Sequence, residues 1–581
     1  MGPTLGHVHA HTPASTFANV IAVVGLACRF GFYFPAWVQA GLDLLILALA
    51  LFFAFETLRE LYRSSPRLEY FQLNWIRCGG LAGVALLETI LFVSIVWRGN
   101  PAVIETFQFS STVGPFAAAV QLYVILVLFE KVATSTLSMK AFARRPALTM
   151  AGSFVVLIAV GTALLMLPKA TVSGISPLDA LFTSTSAVSV TGLVTLPIGS
   201  TFTTTGQVFL LILIQLGGLG LVTFIAFFAV SFGRRLGLEQ RVAIQDVLNL
   251  AVASDMRKLV RYIVIGTFLF EALGAVSLYY VFSSQTGEPQ ANNLFSAIFH
   301  SVSAFCNAGF SIHDGNLVQY ARSPLLMLTL IVLIVAGGVG FYVLMDLGDL
   351  LTVRPRRPGR KIRLQTRLVL LMTAGLLLAG TCLFWVLEAG RLTPYPLWNQ
   401  ALIALFHSAS SRTAGFNTVD VTLWAAPTYF FMALLMFVGA SPGGTGGGVK
   451  TSTVGVVGGL VHATLVGRRQ VEIFRRTISL RAVRLSVSII MLSFLFVSIS
   501  TFLLSLTEDA EFVSILFEAV SAFATVGLSA GLTPSLSTPG KLVVCVTMLA
   551  GRIGPLTLAF ALSAKADRVH YEYPEEDIMV G

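Results

Sequence analysis

Four short segments of this chain are imperfect copies of one another, each with a glycine at the same place: SAVSVTGLV around Gly192, SVSAFCNAGFS around Gly309, SASSRTAGFNT around Gly415 and SAFATVGLS around Gly527. Successive glycines lie 117, 106 and 112 residues apart, the differences between those positions. Such a period constrains the fold more than any local signal, because each copy has to build the same unit. Each copy also sits between two long apolar stretches. The repeated unit therefore reads as span, short re-entrant segment, span.

Composition fixes the solvent. Only 11% of residues are charged and 55% are hydrophobic, with a mean hydropathy of +0.83, whereas soluble domains carry about 25% charged residues. Stretches of about 20 apolar residues match a hydrocarbon core, and twelve are present. Four lie near 16–34, 38–58, 76–97 and 113–132. Eight follow in pairs, near 147–167 and 206–232, 259–283 and 324–347, 366–388 and 428–461, 485–506 and 541–563. The first apolar segment has no basic flank or small-residue cleavage site, so no cleavable signal peptide is expected.

The formal net charge of +10 is explained by where the basic residues fall rather than by a nucleic-acid partner. They occupy alternate loops: Arg59, Arg63 and Arg67; Lys140, Arg144 and Arg145; Arg234 to Lys258; Arg354 to Lys361; Arg468 to Arg476; Lys565 and Arg568. This positive-inside pattern predicts both termini in the cytoplasm and all four glycine segments on loops entering from outside. Cys28, Cys78, Cys306, Cys382 and Cys545 lack ligand-like pairing and read as packing residues.

Irregular backbone at membrane depth is tolerated where protein buries it or where it lines a watery cavity. Each copy runs from a predicted short helix (Pro177 to Ser189, Ala291 to Phe305, Trp398 to Ser411, Glu511 to Ala524) into an extended stretch with its glycine. Four such stretches around an axis can turn carbonyls inward and replace the hydration shell of a cation. Glycine suits the position because crowded backbones leave no room for a Cβ and because φ > 0 costs it little.

At these residues the chain resembles the Trk/Ktr/HKT superfamily of potassium transporters. Val190, Thr191 and Gly192, then Asn307, Ala308 and Gly309, then Thr413, Ala414 and Gly415, then Thr525, Val526 and Gly527 are similar to its four filter segments. The likeness covers about residues 146–581, including the tail Tyr573 to Ile578. It implies an all-α membrane protein whose four M1-P-M2 repeats, eight spans and four re-entrant loops, surround a central pore. The expected divisions are 146–245, 246–360, 361–470 and 471–566, with a cytoplasmic tail at 567–581. Filter glycine in all four repeats goes with potassium selectivity, whereas serine at the first accompanies sodium transport in some plant members. Residues 1–145 depart from the pattern, with four extra spans against none or two in the bacterial types. There Glu88 is an intramembrane acid and so a functional candidate, its plainer reading being a structural partner for Arg77.

Each unit's second span carries a glycine cluster: Gly217 to Gly220, Gly337 to Gly340, Gly439 to Gly448, and Gly551 to Gly554. Small residues at one depth generally serve close helix packing, the preferred reading for the first two. The third, Ser441, Pro442, Gly443, Gly444, Thr445, Gly446, Gly447, Gly448, Val449, Lys450, Thr451 and Ser452, is expected to interrupt its helix. It falls short of a phosphate-binding loop, since Val449 separates glycine from lysine and the segment interrupts an apolar span. The resemblance implies a gating loop below the filter that moves to open it. Arg552 is costly in lipid, about 2.5–3.5 kcal/mol at a helix centre. It is expected to face the pore as a charge barrier, with a structural ion pair to Glu518 or another buried acid as the alternative. His300 and His407, on the re-entrant helices, are expected to pack or hydrogen-bond rather than bind metal.

The sequence thus predicts potassium uptake across the cytoplasmic membrane, with potassium held by filter carbonyls, sodium as a further ion, no enzymatic activity and no nucleotide bound by this chain. The resemblance implies a homodimer on a ring of cytoplasmic Rossmann-type nucleotide-binding regulatory subunits, with the basic loops and Glu575, Glu576 and Asp577 as candidate contacts. A sodium-coupled or less selective cation transporter is the alternative. A secondary transporter of an organic solute is more distant, because inverted repeats or parallel halves with broken helices are not what the four same-sense copies resemble.

Overall fold

From residue 146 onward a helix, a shorter re-entrant helix and a second helix recur four times. The computed structural model describes residues 13–63, 78, 146–232, 256–285, 290–352, 362–555 and 557–558. The first helices are Pro146–Leu165, Met256–Gln285, Leu364–Leu387 and Leu480–Thr507. The re-entrant helices are Pro177–Ser189, Gln290–Phe305, Leu397–Ser410 and Phe512–Ala524, within one residue of expectation at every end. The first of these starts is written locally. Pro177 follows Ser176, whose side chain accepts from the Asp179 amide, an N-cap with proline where no donor is needed.

First helices turn large apolar side chains outward, with Val276 71%, Val386 74% and Phe494 64% exposed. Apolar surface on this scale suits lipid rather than water. Inward, three units share one packing device. A glycine on the first helix (Gly161, Gly274, Gly380) lies so close to a re-entrant-helix serine that a Cβ would strike its hydroxyl. That serine donates to a carbonyl three residues before the glycine: Ser184 to Ile158 at 2.8 Å, Ser301 to Glu271 at 2.6 Å and Ser408 to Leu377 at 2.9 Å. In the fourth unit Ala519 holds the serine's place.

The second helices correct the sequence reading. Only the third was expected to break, yet the first has a non-helical Gly220 (φ 35°, ψ −149°). The second bends by 102° between Pro324–Val339 and Phe341–Leu350, with Gly340 at φ 95°. The fourth ends at Gly554 with φ 90°. The third divides into Ala426–Phe437 and Thr451–Leu465 around the loop. Glycine is required at these breaks because the backbone is left-handed there. Among the described residues, four helices are therefore long and apolar enough to cross a membrane unbroken, or five with the bent pair as one.

At the N-terminus Pro13–Gly31 and Ala36–Arg63 pair around Ala22, Ile46 and Phe53, with Arg29 Nε 2.7 Å from Asp43. Lys169 ties this hairpin to the first unit, its amide donating to Gly31 O at 3.0 Å and its ammonium to Arg29 O at 3.1 Å. The expected spans near 76–97 and 113–132, Glu88, Arg77 and the acidic tail lie outside the described residues, Cys78 excepted.

Candidate functional site

The four glycine segments meet in a closed ring. A Cβ built on Gly192 would fall within 2.5 Å of Ala308 O, one on Gly309 near Ala414 O, one on Gly415 near Val526 O, and one on Gly527 near Thr191 O. Each glycine thus abuts the carbonyl before the next unit's glycine, in the order one, two, three, four and back to one. The glycines have φ of 90°, 69°, 75° and 93°. All twelve segment residues are buried except Gly527, which is partly exposed.

Two residues ahead of each glycine, Val190, Asn307, Thr413 and Thr525 are also left-handed, at φ 59°, 60°, 74° and 53°. Sequence reasoning missed this, and three of the four are β-branched, the residues least suited to that region. Such strain costs on the order of 1–3 kcal/mol per residue and persists only where surroundings over-determine it. Val190 and Thr525 cap their helices in αL, while Asn307 and Thr413 follow the ends of theirs at Phe305 and Ser410. In all four units the next amide returns into that helix: Thr191 N to Ser186 O at 2.8 Å, Ala308 N to Ser303 O at 2.7 Å, Ala414 N to Ser410 O at 2.9 Å and Val526 N to Ser521 O at 2.8 Å. Gly192 and Gly527 amides donate to Ser186 and Ser521 hydroxyls at 3.0 and 3.1 Å. Four helix C-termini, the negative ends of their dipoles, therefore run into one ring of backbone.

The loop of residues 441–452 packs against the base of this ring. Gly446 and Gly447 approach the Thr413 and Thr525 side chains so closely that a Cβ would collide with each, and Gly447 N donates to Thr525 Oγ1 at 3.0 Å. The loop is tied to the second unit by Ser441 N to Gly338 O (2.9 Å), Thr445 N to Gly337 O (3.1 Å) and Phe341 N to Gly443 O (3.1 Å). Thr445 Oγ1 donates to Phe305 O at 3.2 Å. Its ends are pinned by Ser441 against Thr451 at 2.8 Å, and Lys450 Nζ donates to Gly446 O at 2.7 Å. Pro442, Gly444 and Gly448 complete its turns, with Gly443 and Gly448 left-handed. Asn307 joins the network, its amide oxygen accepting from Thr413 Oγ1 at 3.2 Å and its nitrogen donating to Ala304 O at 2.9 Å.

Arg552 donates to Thr445 O in the loop and to Gly217 O and Gly218 O of the first unit's second helix. The alternative ion pair to Glu518 is absent; Glu518 instead accepts from Ser529 and Thr533. Gly217 and Gly337 are packing contacts, as expected for the first two clusters, and Gly551 of the fourth is one as well. A Cβ on Gly217, Gly337 or Gly551 would strike Val188, Phe305 or Phe523 O at a re-entrant helix end. His300 and His407 do pack and hydrogen-bond: His300 stacks on His313 with centroids 4.9 Å apart, and His407 on Phe384 at 5.0 Å. Burial holds the His313 imidazole below its ordinary range, with Asp314 opposing. Five buried charged residues, Glu271, Asp346, Asp349, Glu388 and Arg412, escaped the sequence reading. Glu271 lies with Oε1 4.0 Å from Cys306 Sγ, and Arg412 sits beside the third segment.

Four helix C-termini meeting in one buried ring of backbone, with the 441–452 loop packed against it, fit a membrane protein that handles cations. A profile of the family described as "TrkH: Cation transport protein" matches residues 116–570, and the chain belongs to that transport family, which is not one of enzymes. It is similar to Ktr system potassium uptake protein B of Vibrio alginolyticus, with 42% identity over 74% of this chain and 93% of the relative. The protein of that name in Bacillus subtilis is 36% identical over 75% and 97%. Potassium/sodium uptake protein NtpJ of Enterococcus hirae is 37% identical over 75% and 97%. The crystal structure of the potassium transporter TrkH from Vibrio parahaemolyticus superposes with a TM-score of 0.57 over 84% of this chain and 98% of that one, at 20% identity, a likeness of fold.

Proposed function

We propose that this chain is the pore-forming subunit of a Ktr/Trk-like potassium uptake system in the cytoplasmic membrane, with its four repeats arranged around a central pore. The observation carrying the reading is the closed ring, in which each glycine leaves no room for a Cβ beside the neighbouring carbonyl. Val190 to Gly192, Asn307 to Gly309, Thr413 to Gly415 and Thr525 to Gly527 form the selectivity filter, their carbonyls replacing potassium's water. Residues 441 to 451 are the gate and Arg552 the charge barrier beneath it, supported by its contact with Thr445. Net flux follows the membrane potential, about 2.3 kcal/mol per 100 mV for a monovalent cation.

Relatives named as components of a Ktr system support a partner for this subunit, which we assign to a ring of nucleotide-binding cytoplasmic subunits bound by a homodimer. Both termini are cytoplasmic, by the distribution of basic loops. Sodium is the second ion, as the potassium/sodium name of one relative suggests. Rescue of a potassium-uptake-deficient cell, with sodium varied independently, tests the function. Growth at limiting potassium is the expected result, and no rescue by a chain present in the membrane contradicts it.

A further inference from the structure

One position on each re-entrant helix carries a polar side chain behind the ring: Thr183, His300, His407 and Glu518, nine residues before the glycine in the first, second and fourth units and eight in the third. All four are buried. In three units this side chain accepts hydrogen bonds from the strand that follows the glycine. His300 Nδ1 lies 2.8 Å from Ser296 O, to which only a protonated nitrogen can donate, so in the neutral ring Nε2 is the acceptor for Ser311 Oγ at 2.9 Å. The same hydroxyl accepts the His313 amide at 3.0 Å. His407 Nε2 accepts from the amide of Thr418 at 3.4 Å and lies equally far from its hydroxyl. The Glu518 carboxylate accepts from Ser529 Oγ, from Thr533 N at 3.2 Å and from Thr533 Oγ1 at 3.0 Å.

The first unit differs. Thr183 Oγ1, buried, has no hydrogen-bond partner, and the Thr195 side chain bonds instead to the Asp179 carboxylate in the first turn of the helix. In three of the four units a buried acceptor in the middle of the re-entrant helix thus fastens the segment two or three residues past the glycine, whereas in the first unit Thr183 does not and the contact is made at the helix start.

Resting on the filter reading above, we infer that His300, His407 and Glu518 are positioning residues for ion selectivity. They hold the segments after Gly309, Gly415 and Gly527 at a fixed distance from the axis, a role Thr183 does not share in the first unit. The physical ground is that discrimination between cations of different size needs carbonyls that cannot follow the smaller ion inward, and a buried hydrogen bond to the adjoining strand opposes that movement. A fixed acceptor at one register, met by donors on three strands from two kinds of side chain, is more than generic packing requires.

The full chain, reconstituted in proteoliposomes, tests this through potassium uptake in competition with sodium. Ser311→Ala and Ser529→Ala each remove one donor without touching a re-entrant helix. Each is expected to shift the sodium-to-potassium ratio by about ten-fold, the order of one buried hydrogen bond. Ser311→Thr, which keeps the hydroxyl, restores the parental ratio, and Thr183→Val leaves it within about two-fold because that hydroxyl is already unpartnered. The double variant His300→Leu with Ser311→Ala is expected to be no less selective than the worse single one, since both break the same contact. If His300→Leu fails to fold, the two serine variants still decide the matter. Unchanged selectivity in both, with flux normal or reduced, overturns the inference. A parent protein that does not discriminate potassium from sodium overturns the filter reading itself.

Discussion

A glycine of the ring answers two demands at once: a left-handed backbone and a neighbouring carbonyl where a Cβ would stand. Serine at Gly192 meets neither, since φ is 90° and Ala308 O lies in the way. Left-handed backbone costs an L-residue about 1–2 kcal/mol, small enough for the protein to reach the membrane but large against the energies that separate two monovalent cations. Gly192→Ser is therefore expected to weaken discrimination of potassium against sodium by about ten-fold, read by ion competition on purified protein. Unchanged selectivity at normal flux removes Gly192 from the filter. The glycines were visible in the sequence as a repeat. The left-handed Val190, Thr413 and Thr525 were not, because propensity argues against that conformation for β-branched side chains and only the surrounding segments impose it.

At the scale of elements, the loop between Ala426–Phe437 and Thr451–Leu465 is held by bonds to the second unit, to Thr525 and to Arg552. On the gate reading proposed above, opening exchanges those bonds for others, so removing the middle of the loop is expected to remove the obstruction. Deleting Gly443 to Gly448 is expected to raise potassium flux per reconstituted dimer and to reduce dependence on the regulatory subunit. Arg552→Ala is also expected to raise flux, by taking a positive charge from the cation's path. Because Arg552 donates to Thr445 O within the deleted segment, the two changes share a contact and the double variant gains less than the sum of both free energies. Stopped-flow or tracer flux on all three variants checks this. A deletion variant that stays dimeric and conducts no faster than the parent removes the loop from the gate.

For the whole molecule, the outward apolar surface and the broken second helices concern one chain, whereas the proposed regulation concerns an assembly. The chain is expected to purify as a homodimer, shown by static light scattering, and to gain nucleotide sensitivity of flux only when the regulatory partner is added. Direct saturable ATP binding by this chain alone contradicts the partner assignment. The hairpin of Pro13–Gly31 and Ala36–Arg63 is fastened to the first unit through Lys169, on the flank of the ring rather than within it. Its removal is expected to change stability before selectivity, measured as thermal aggregation in detergent beside ion competition.

The sequence by itself determined the four-fold repeat, the re-entrant helices to within a residue, the ring glycines and the interrupted third span. These are legible because periodic hydropathy, serine and proline at helix starts, and glycine where a Cβ is forbidden act over a few residues at a time. Tertiary structure alone decided that every second helix breaks at its glycine cluster, and that Arg552 serves carbonyls instead of Glu518. It also decided that His300, His407 and Glu518 reach the strands beyond their own glycines. The Arg552 contact with Gly217 joins atoms 335 residues apart in the chain, and the His300, His407 and Glu518 contacts, though local in sequence, need the chain to fold back past the glycine onto its own helix. No local pattern of residue types carries that information; it comes into being when the four segments close on one another.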